Sequence, residues 1–155
     1  MTERVRYAKA FPEGIHALLN LGKTIATSGL EPSLLGLVYT RASQLNGCAY
    51  CIDMHTKDAR AAGETEQRLY ALNAWRETPF FTARERAALE WTEAITNIQR
   101  GHAADEVYAA ACHEFNEQEL VKLTLAIGNI NAWNRIAIAF RAEAGTYQPA
   151  ANVSA

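Results

Sequence analysis

The chain has little of what marks several large protein classes. It contains only three cysteines, two of them clustered, which does not resemble the disulfide framework of a secreted protein. Lysine and arginine form no block, and the net charge is −2, so we expect no nucleic-acid partner. No apolar run approaches the roughly 20 residues of a membrane-spanning helix, and we expect no membrane partner. The first residues, MTERVR, lack the apolar core of a secretory signal. These absences favour a reducing, cytoplasmic setting.

What is present is the pattern of an all-α domain. A chain of 155 residues that is 49% hydrophobic and 21% charged is typical of one globular domain with a real core. Glycines end successive segments of helical apolar periodicity, as expected of residues that adopt a left-handed turn; these are Gly29, Gly63, Gly101 and Gly145. The spacing predicts seven or eight helices and no strand. We expect a single domain over residues 1–145 and a flexible tail over 146–155.

Local signals place the helix boundaries. The predicted helices cover about 14–27, 32–46, 48–62, 65–75, 82–98, 104–115 and 117–143, with a break near 129–131. Capping boxes open two of them, one starting at Thr82 and one with Asn116 as the cap. Across the second, Phe115 and Leu120 are spaced for a hydrophobic staple. We expect Trp75 and Trp91 in the core.

The most informative feature is Cys48-Ala49-Tyr50-Cys51 followed by His55. Positions i, i+3 and i+7 share one face of a helix, so both thiols and the imidazole form a stripe. The stripe continues through Ala59 and Ala62, which are small and apolar. A helix buries such a face against a close neighbour, so we expect the thiols at the buried end of a groove. The charged residues off the stripe should be solvated; they are Lys57, Asp58 and Arg60.

Two thiols this close can form a reversible disulfide, and a nearby imidazole can help to form the reactive thiolate. A free thiol has a pKa near ~8.5, and lowering it by ~2 units requires ~2.7 kcal/mol of differential stabilisation. The helix dipole favours the thiolate of Cys48, at the helix start, whereas His55 is one turn from Cys51. By the dipole alone, Cys48 would be the nucleophile.

Other interpretations of the stripe stay open. Cys48, Cys51 and His55 could be zinc ligands, with Cys112 or His113 as a fourth, although structural zinc usually uses two separated ligand pairs. Alternatively, both cysteines could be inert small hydrophobic residues. A thioredoxin fold would require a βαβ context, which the sequence lacks. We expect Cys112 itself to be buried.

The segment Arg41–Thr56 closely resembles the core motif of the AhpD-like alkylhydroperoxidases, which belong to the carboxymuconolactone decarboxylase family. The resemblance extends to residues 82–89, 123–127 and 132–135, and so covers most of the chain from about residue 10 to 141. It implies an all-α fold and a homo-oligomer, a trimer or a hexamer. We assign Trp133-Asn134-Arg135 to packing and oligomer contacts.

The resemblance also implies an activity, which is thiol-dependent reduction of hydroperoxides in antioxidant defence, without metal, haem or flavin. It makes Cys51 the cysteine that attacks the peroxide and Cys48 the one that resolves the sulfenic acid, with His55 as proton relay or base. An external dithiol reductant, of the lipoyl or thioredoxin type, would reopen the disulfide. The alternatives are a decarboxylase of the wider family and a non-enzymatic helical oligomer that is redox-responsive or binds zinc.

One position departs from the resemblance. The peroxidases usually carry a relay glutamate twelve residues before the first cysteine, where this chain has Gly36. Tyr39, one turn on, is a possible substitute, and Glu90 and Glu93 are others. Alternatively, the relay is shortened to His55 and water, or peroxide turnover is weak and the chain is a thiol–disulfide partner.

Overall fold

A computed structural model describes residues 2–149, and within them every regular element is a helix. The α-helices are α1 (Tyr7–Ala10), α2 (Pro12–Ala26), α3 (Pro32–Asn46), α4 (Ala49–Ala61), α5 (Glu66–Ala71), α6 (Ala83–Thr96), α7 (Asp105–Glu114) and α8 (Glu117–Phe140). A 3₁₀ helix, Leu72–Glu77, follows α5 directly. In this part of the chain, no helix is long and apolar enough to cross a membrane. The all-α prediction is confirmed.

Most helices begin where the sequence places their caps, but α6 ends at Thr96 and α8 at Phe140, before the predicted ends at 98 and 143. Both predicted capping boxes form, at Thr82 with Glu85 and at Asn116 with Glu119. The four glycines predicted to end helical segments all have φ between +94° and +116°, but Gly101 and Gly145 lie beyond Asn97 and Arg141, which are the C-caps of α6 and α8. Gly47 adopts the same left-handed region, with φ +67°, and it ends α3. This turn is what allows α4 to begin only two residues after α3 ends.

Two further predictions about the helices are wrong. The helix expected over 65–75 is α5 plus a 3₁₀ helix, because the backbone at Ala74 leaves the helical region (φ −118°, ψ 32°). The break expected near 129–131 does not occur, and α8 is continuous for 24 residues. Asn131 donates to the Thr96 hydroxyl at 3.0 Å and to the Ile127 carbonyl at 2.9 Å. Tertiary packing and these bonds outweigh the weak helix propensity of asparagine.

Helix α3 is central and packs against α4, α6 and α8. The main core includes Val38, Trp91, Leu123 and Ile127, and a second cluster surrounds Trp75. Trp75 and Trp91 are buried as predicted, and so are Phe115 and Leu120. Cys112, by contrast, is exposed. Because α7 turns Ala111 into the core, the next residue, about 100° around the helix, faces solvent.

A network of buried amides joins α8 to the end of α3. Asn46 donates to the side-chain oxygens of Asn131 and Asn134, both at 2.9 Å. Asn134 is fully buried and donates to the hydroxyl of Ser43 at 3.1 Å. Arg135 donates to Asn131. Asn131 and Asn134 therefore fix the α3 terminus that leads directly into the cysteine motif.

The segment after α8 lies against α4. Asp53 accepts hydrogen bonds from Lys57 and from the amide of Gly145. The Tyr147 hydroxyl donates to Asp58 at 2.6 Å, and Lys57 donates to the Tyr147 carbonyl. Lys57 and Asp58 are thus half-buried, which corrects the prediction that they are solvated; their partners come from a segment ninety positions away. Arg60 is exposed. Residues 150–155 of the predicted tail lie outside the described part of the chain.

Candidate active site at the start of the cysteine helix

The cysteine motif lies at the junction of α3 and α4. Cys48 is the N-cap of α4, and its sulfur accepts a hydrogen bond from the Cys51 amide at 3.3 Å. A disulfide joins the two cysteines, whose Cα atoms are 5.3 Å apart. The helical spacing of three residues sets this separation, which is within the range of ordinary disulfides.

Both sulfur-bearing residues are buried, as the stripe predicts. Cys48 is 1% exposed and Cys51 is 2% exposed, and Ala137 of α8 packs with them. Cys51 lines a cavity, whereas Cys48 is not among the described residues that line it. A molecule that enters the cavity therefore meets Cys51.

The cavity has a volume of about 570 Å³ and a mostly apolar wall. Helices α2, α3, α4 and α8 form most of the wall, so residues distant in the sequence meet there. The wall includes Gly22, Leu35, Gly36, Tyr39, Tyr50, Cys51, Met54, His55, Asp58, Ala59, Asn129, Ile130 and Trp133. Apolar cavities of this size with a few polar groups are typical of small-molecule sites.

His55 lies on this wall as a neutral base. Its buried Nε2 atom has no hydrogen-bond partner among the described residues. Burial lowers the pKa of the imidazole to about 4, although the Asp58 carboxylate opposes the shift. In the disulfide form His55 is therefore uncharged at neutral pH, which is the state that can accept a proton.

The structure brings Tyr39 to His55 and leaves the other relay candidates elsewhere. The ring centroids of Tyr39 and His55 are 5.2 Å apart. Burial raises the pKa of Tyr39 to about 12, so the phenol stays protonated. Glu93 instead pairs with Arg41 at 2.8 Å, and both Glu90 and Glu93 pair with Arg76. Neither glutamate is among the described residues that line the cavity.

Gly36 also lies on the cavity wall. A Cβ atom at this position would lie 3.9 Å from the Cβ of Ala59, an ordinary contact distance. A larger side chain at residue 36 would therefore have room at its base. Among the described cavity-lining residues, Asp58 is the one carboxylate, and Tyr147 holds it.

Sequence reasoning missed part of this site. Asn129 and Trp133 reach the cavity from α8, as does Ala137. Their spacing of four residues was a visible signal of one helix face, but nothing local showed that this face meets α4. Trp133, assigned to packing and oligomer contacts, lies on the cavity wall. Among residues 2–149, no group of three or more His, Cys, Asp or Glu is arranged to hold a metal ion.

The fold and motif agree with comparisons to known proteins. The sequence profile of the carboxymuconolactone decarboxylase family matches residues 12–94, more than half of the chain. The chain belongs to this family. An uncharacterized protein of Bacillus subtilis, YdfG, is 45% identical over 139 residues, which are 90% of this chain and 95% of YdfG.

Solved structures place the chain among the AhpD-like members of the family. A protein of unknown function from Agrobacterium tumefaciens, suggested to be the antioxidant defence protein AhpD, superposes with a TM-score of 0.91 and 42% identity. The match covers 94% of this chain and all of the other. A peroxidase-related protein with an AhpD core from Ralstonia eutropha has a TM-score of 0.79 over 90% of this chain and 75% of its own. At 15% identity, this likeness shows the fold alone.

Proposed function

We propose that this AhpD-like protein is a thiol peroxidase that reduces hydroperoxides through the Cys48–Cys51 pair. The observation that carries the proposal is the position of Cys51, which lies on the wall of an apolar cavity and is disulfide-bonded to a cysteine outside it. A neutral imidazole with an unpartnered nitrogen lies on the same wall. This combination provides a nucleophile, a second thiol to trap its oxidised form, and a proton acceptor.

In the reduced form, His55 accepts the proton of the Cys51 thiol, because the thiolate that forms beside it raises the pKa of the imidazole above its value in the disulfide form. The thiolate attacks the terminal oxygen of the hydroperoxide, an S–O bond forms and the O–O bond breaks. The alkoxide leaves as an alcohol with the proton from His55, and Cys51 is oxidised to a sulfenic acid. Cys48 then attacks this sulfur, the disulfide forms and water leaves.

Access supports Cys51 as the attacking residue. The amide of Cys51 and the start of α4 would stabilise a thiolate on Cys48. That sulfur nevertheless lies away from the cavity, whereas Cys51 is one helical turn from His55. Electrostatics at the helix start therefore favour Cys48 as the better leaving group when the disulfide is reopened, and access favours Cys51 for peroxide.

The test is peroxide consumption by single-cysteine variants, all in a Cys112→Ser background, because Cys112 is exposed and could react by itself. Cys51→Ser should consume no peroxide. Cys48→Ser should consume one equivalent and then stop as a sulfenic acid, which a dimedone adduct detected by mass spectrometry would locate. The reverse pattern would exchange the two roles. If neither thiol reacted with peroxide in either variant, the result would contradict the proposal.

The reductant follows from the burial of the disulfide. An external dithiol must supply two electrons, and with Cys51 only 2% exposed, a slender lipoyl-type dithiol reaches the sulfur more readily than a folded thioredoxin. Dihydrolipoamide should therefore support faster turnover than reduced thioredoxin at equal concentration. We also propose a homo-oligomer, a trimer or hexamer, which light scattering of the purified protein would test.

Gly36 favours a second candidate function, thiol–disulfide exchange with weak peroxide turnover. No carboxylate stands where the related peroxidases have a relay glutamate, so proton delivery depends on His55 and its neighbours. Equal rates of dithiol oxidation with a small disulfide and with a hydroperoxide would favour this candidate. A clear excess for the hydroperoxide would favour the peroxidase.

A further inference from the structure

We infer that Asn129 is a second polar anchor in the cavity, and that it binds a hydrogen-bond donor on the body of an apolar ligand. The inference deepens the proposed function by naming a substrate class, and to that extent it rests on it. The implied substrate is an apolar hydroperoxide that carries a hydroxyl or N–H group apart from the peroxide.

The observation is a buried carbonyl oxygen without a partner. Asn129 is 7% exposed, and its Oδ1 atom has no hydrogen bond to the described residues. Two other buried asparagines on α8 behave differently, since Asn131 and Asn134 both bond to α3. Asn129 differs from them in lining the cavity.

Such an atom calls for an explanation because buried polar groups almost always have partners in native proteins. An unpaired carbonyl is costly when no ligand is present, and that cost is recovered when a donor binds. Of the described residues that line the cavity, Asn129 and His55 are the two with a fully buried side-chain oxygen or nitrogen atom that lacks a hydrogen-bond partner. In the proposed reaction His55 exchanges a proton with the Cys51 thiol, so Asn129 is the residue left to bind the body of the ligand.

Gly22 leaves space for the side-chain amide of Asn129. A Cβ atom at this position of α2 would lie 3.3 Å from the Asn129 Nδ2 atom, closer than side chains normally tolerate. The glycine therefore allows the amide to lie against α2 with its oxygen unpaired by protein. An alanine here would require the amide to shift by a few tenths of an ångström.

The chemistry of the wall defines the ligand. Leu35, Met54 and Ile130 present apolar surface, and Trp133 presents an aromatic side chain. A carboxamide oxygen only accepts hydrogen bonds, so the ligand must donate one. A cavity of about 570 Å³ admits a small ring or a short branched chain.

The test compares two isosteric probes, p-cresol and p-xylene, which differ by hydroxyl against methyl. Calorimetry on the disulfide form gives the ratio of their affinities for wild type and for Asn129→Leu, which removes the amide at similar volume. The ratio should shift by roughly tenfold towards p-xylene in the variant. His55→Leu, the matched control, removes the other polar group, the imidazole, and should retain the preference for p-cresol.

An unchanged ratio in Asn129→Leu would overturn the inference, and so would loss of the preference in His55→Leu alone. Should the leucine variant fail to fold, Asn129→Ala and Gly22→Ala provide the same comparison. No turnover is involved, so a protein that consumes no peroxide can still show the preference. Conversely, a working peroxidase without the preference would refute this inference and leave the proposed function standing.

Discussion

The rings of Tyr39 and His55 lie 5.2 Å apart between centroids, with their planes tilted by 39°. Tyr39 comes from α3 and His55 from α4, and both line the cavity that contains Cys51. A phenol that stays protonated beside a neutral imidazole can pass a proton without carrying a charge. This contact is the closest that the structure comes to replacing the carboxylate missing at residue 36.

Tyr39→Phe tests whether the phenol carries that proton. We expect the single-turnover rate of peroxide consumption to fall by roughly 10², with little change in the melting temperature because the ring is kept. Tyr50→Phe is the matched control, since Tyr50 also lines the cavity. An equal loss in both variants would point to general effects on the cavity, and no loss in either would leave the relay to His55 and water.

Gly36→Glu should raise peroxide consumption. The Cβ atom of the new side chain would lie 3.9 Å from the Cβ of Ala59, at a position that lines the cavity. The substitution also removes a helix-interior glycine that costs roughly 1 kcal/mol relative to alanine. Gly36→Gln is the control, because it matches the glutamate in size without ionising. Rates that are equal in the two variants would show that residue 36 has no part in proton transfer.

The titration of His55 predicts a pH dependence of stability. Its pKa is about 4 in the folded protein, against an ordinary value of 6.5 for a solvated histidine in the unfolded chain. The unfolded chain therefore binds more protons than the folded protein between these two values. The free energy of unfolding should decrease as pH falls from about 6.5 to 4, by up to about 3 kcal/mol.

Urea unfolding of the disulfide form at several pH values measures this effect. His55→Gln should remove most of the pH dependence in that window, whereas His16→Gln, at an exposed position, should leave it in place. A wild-type profile that is flat from pH 7 to 4 would mean that the imidazole reaches solvent.

Tyr147→Phe should release the segment after α8 from α4. The 2.6 Å bond to Asp58 joins a hydroxyl to a carboxylate, and the contact raises the pKa of Tyr147 to about 12. Its loss should cost about 1 kcal/mol after allowance for solvent. Hydrogen exchange at the Gly145 amide, which bonds to Asp53, should become faster.

Tyr70→Phe provides the comparison, because Tyr70 also bonds a carboxylate, that of Glu66, but on an exposed surface. It should leave the Gly145 amide unaffected. Unchanged exchange in Tyr147→Phe would mean that the contacts of Asp53 and Lys57 suffice to hold the segment.

Much of the fold could be predicted because the responsible signals are local. The caps at Thr82 and Asn116 and the left-handed glycines depend only on neighbouring residues, and all formed as expected. Two of the errors share a cause, which is a contact with residues far away in the sequence. A predicted break in α8 vanished because Asn131 bonds across to Thr96. Asp58, expected in solvent, is covered by Tyr147.

The candidate site divides in the same way. Helical spacing by itself determined that Cys48, Cys51 and His55 share a face and that the two sulfurs can bond, because both follow from the geometry of a single helix. Only the tertiary structure decided that Cys51 faces a cavity, that His55 is neutral, and that Asn129 and Trp133 complete the wall. Burial depends on which helices pack together, and contacts between residues far apart in the chain fix that packing. Burial in turn sets the pKa of the histidine and leaves the amide oxygen without a hydrogen-bond partner.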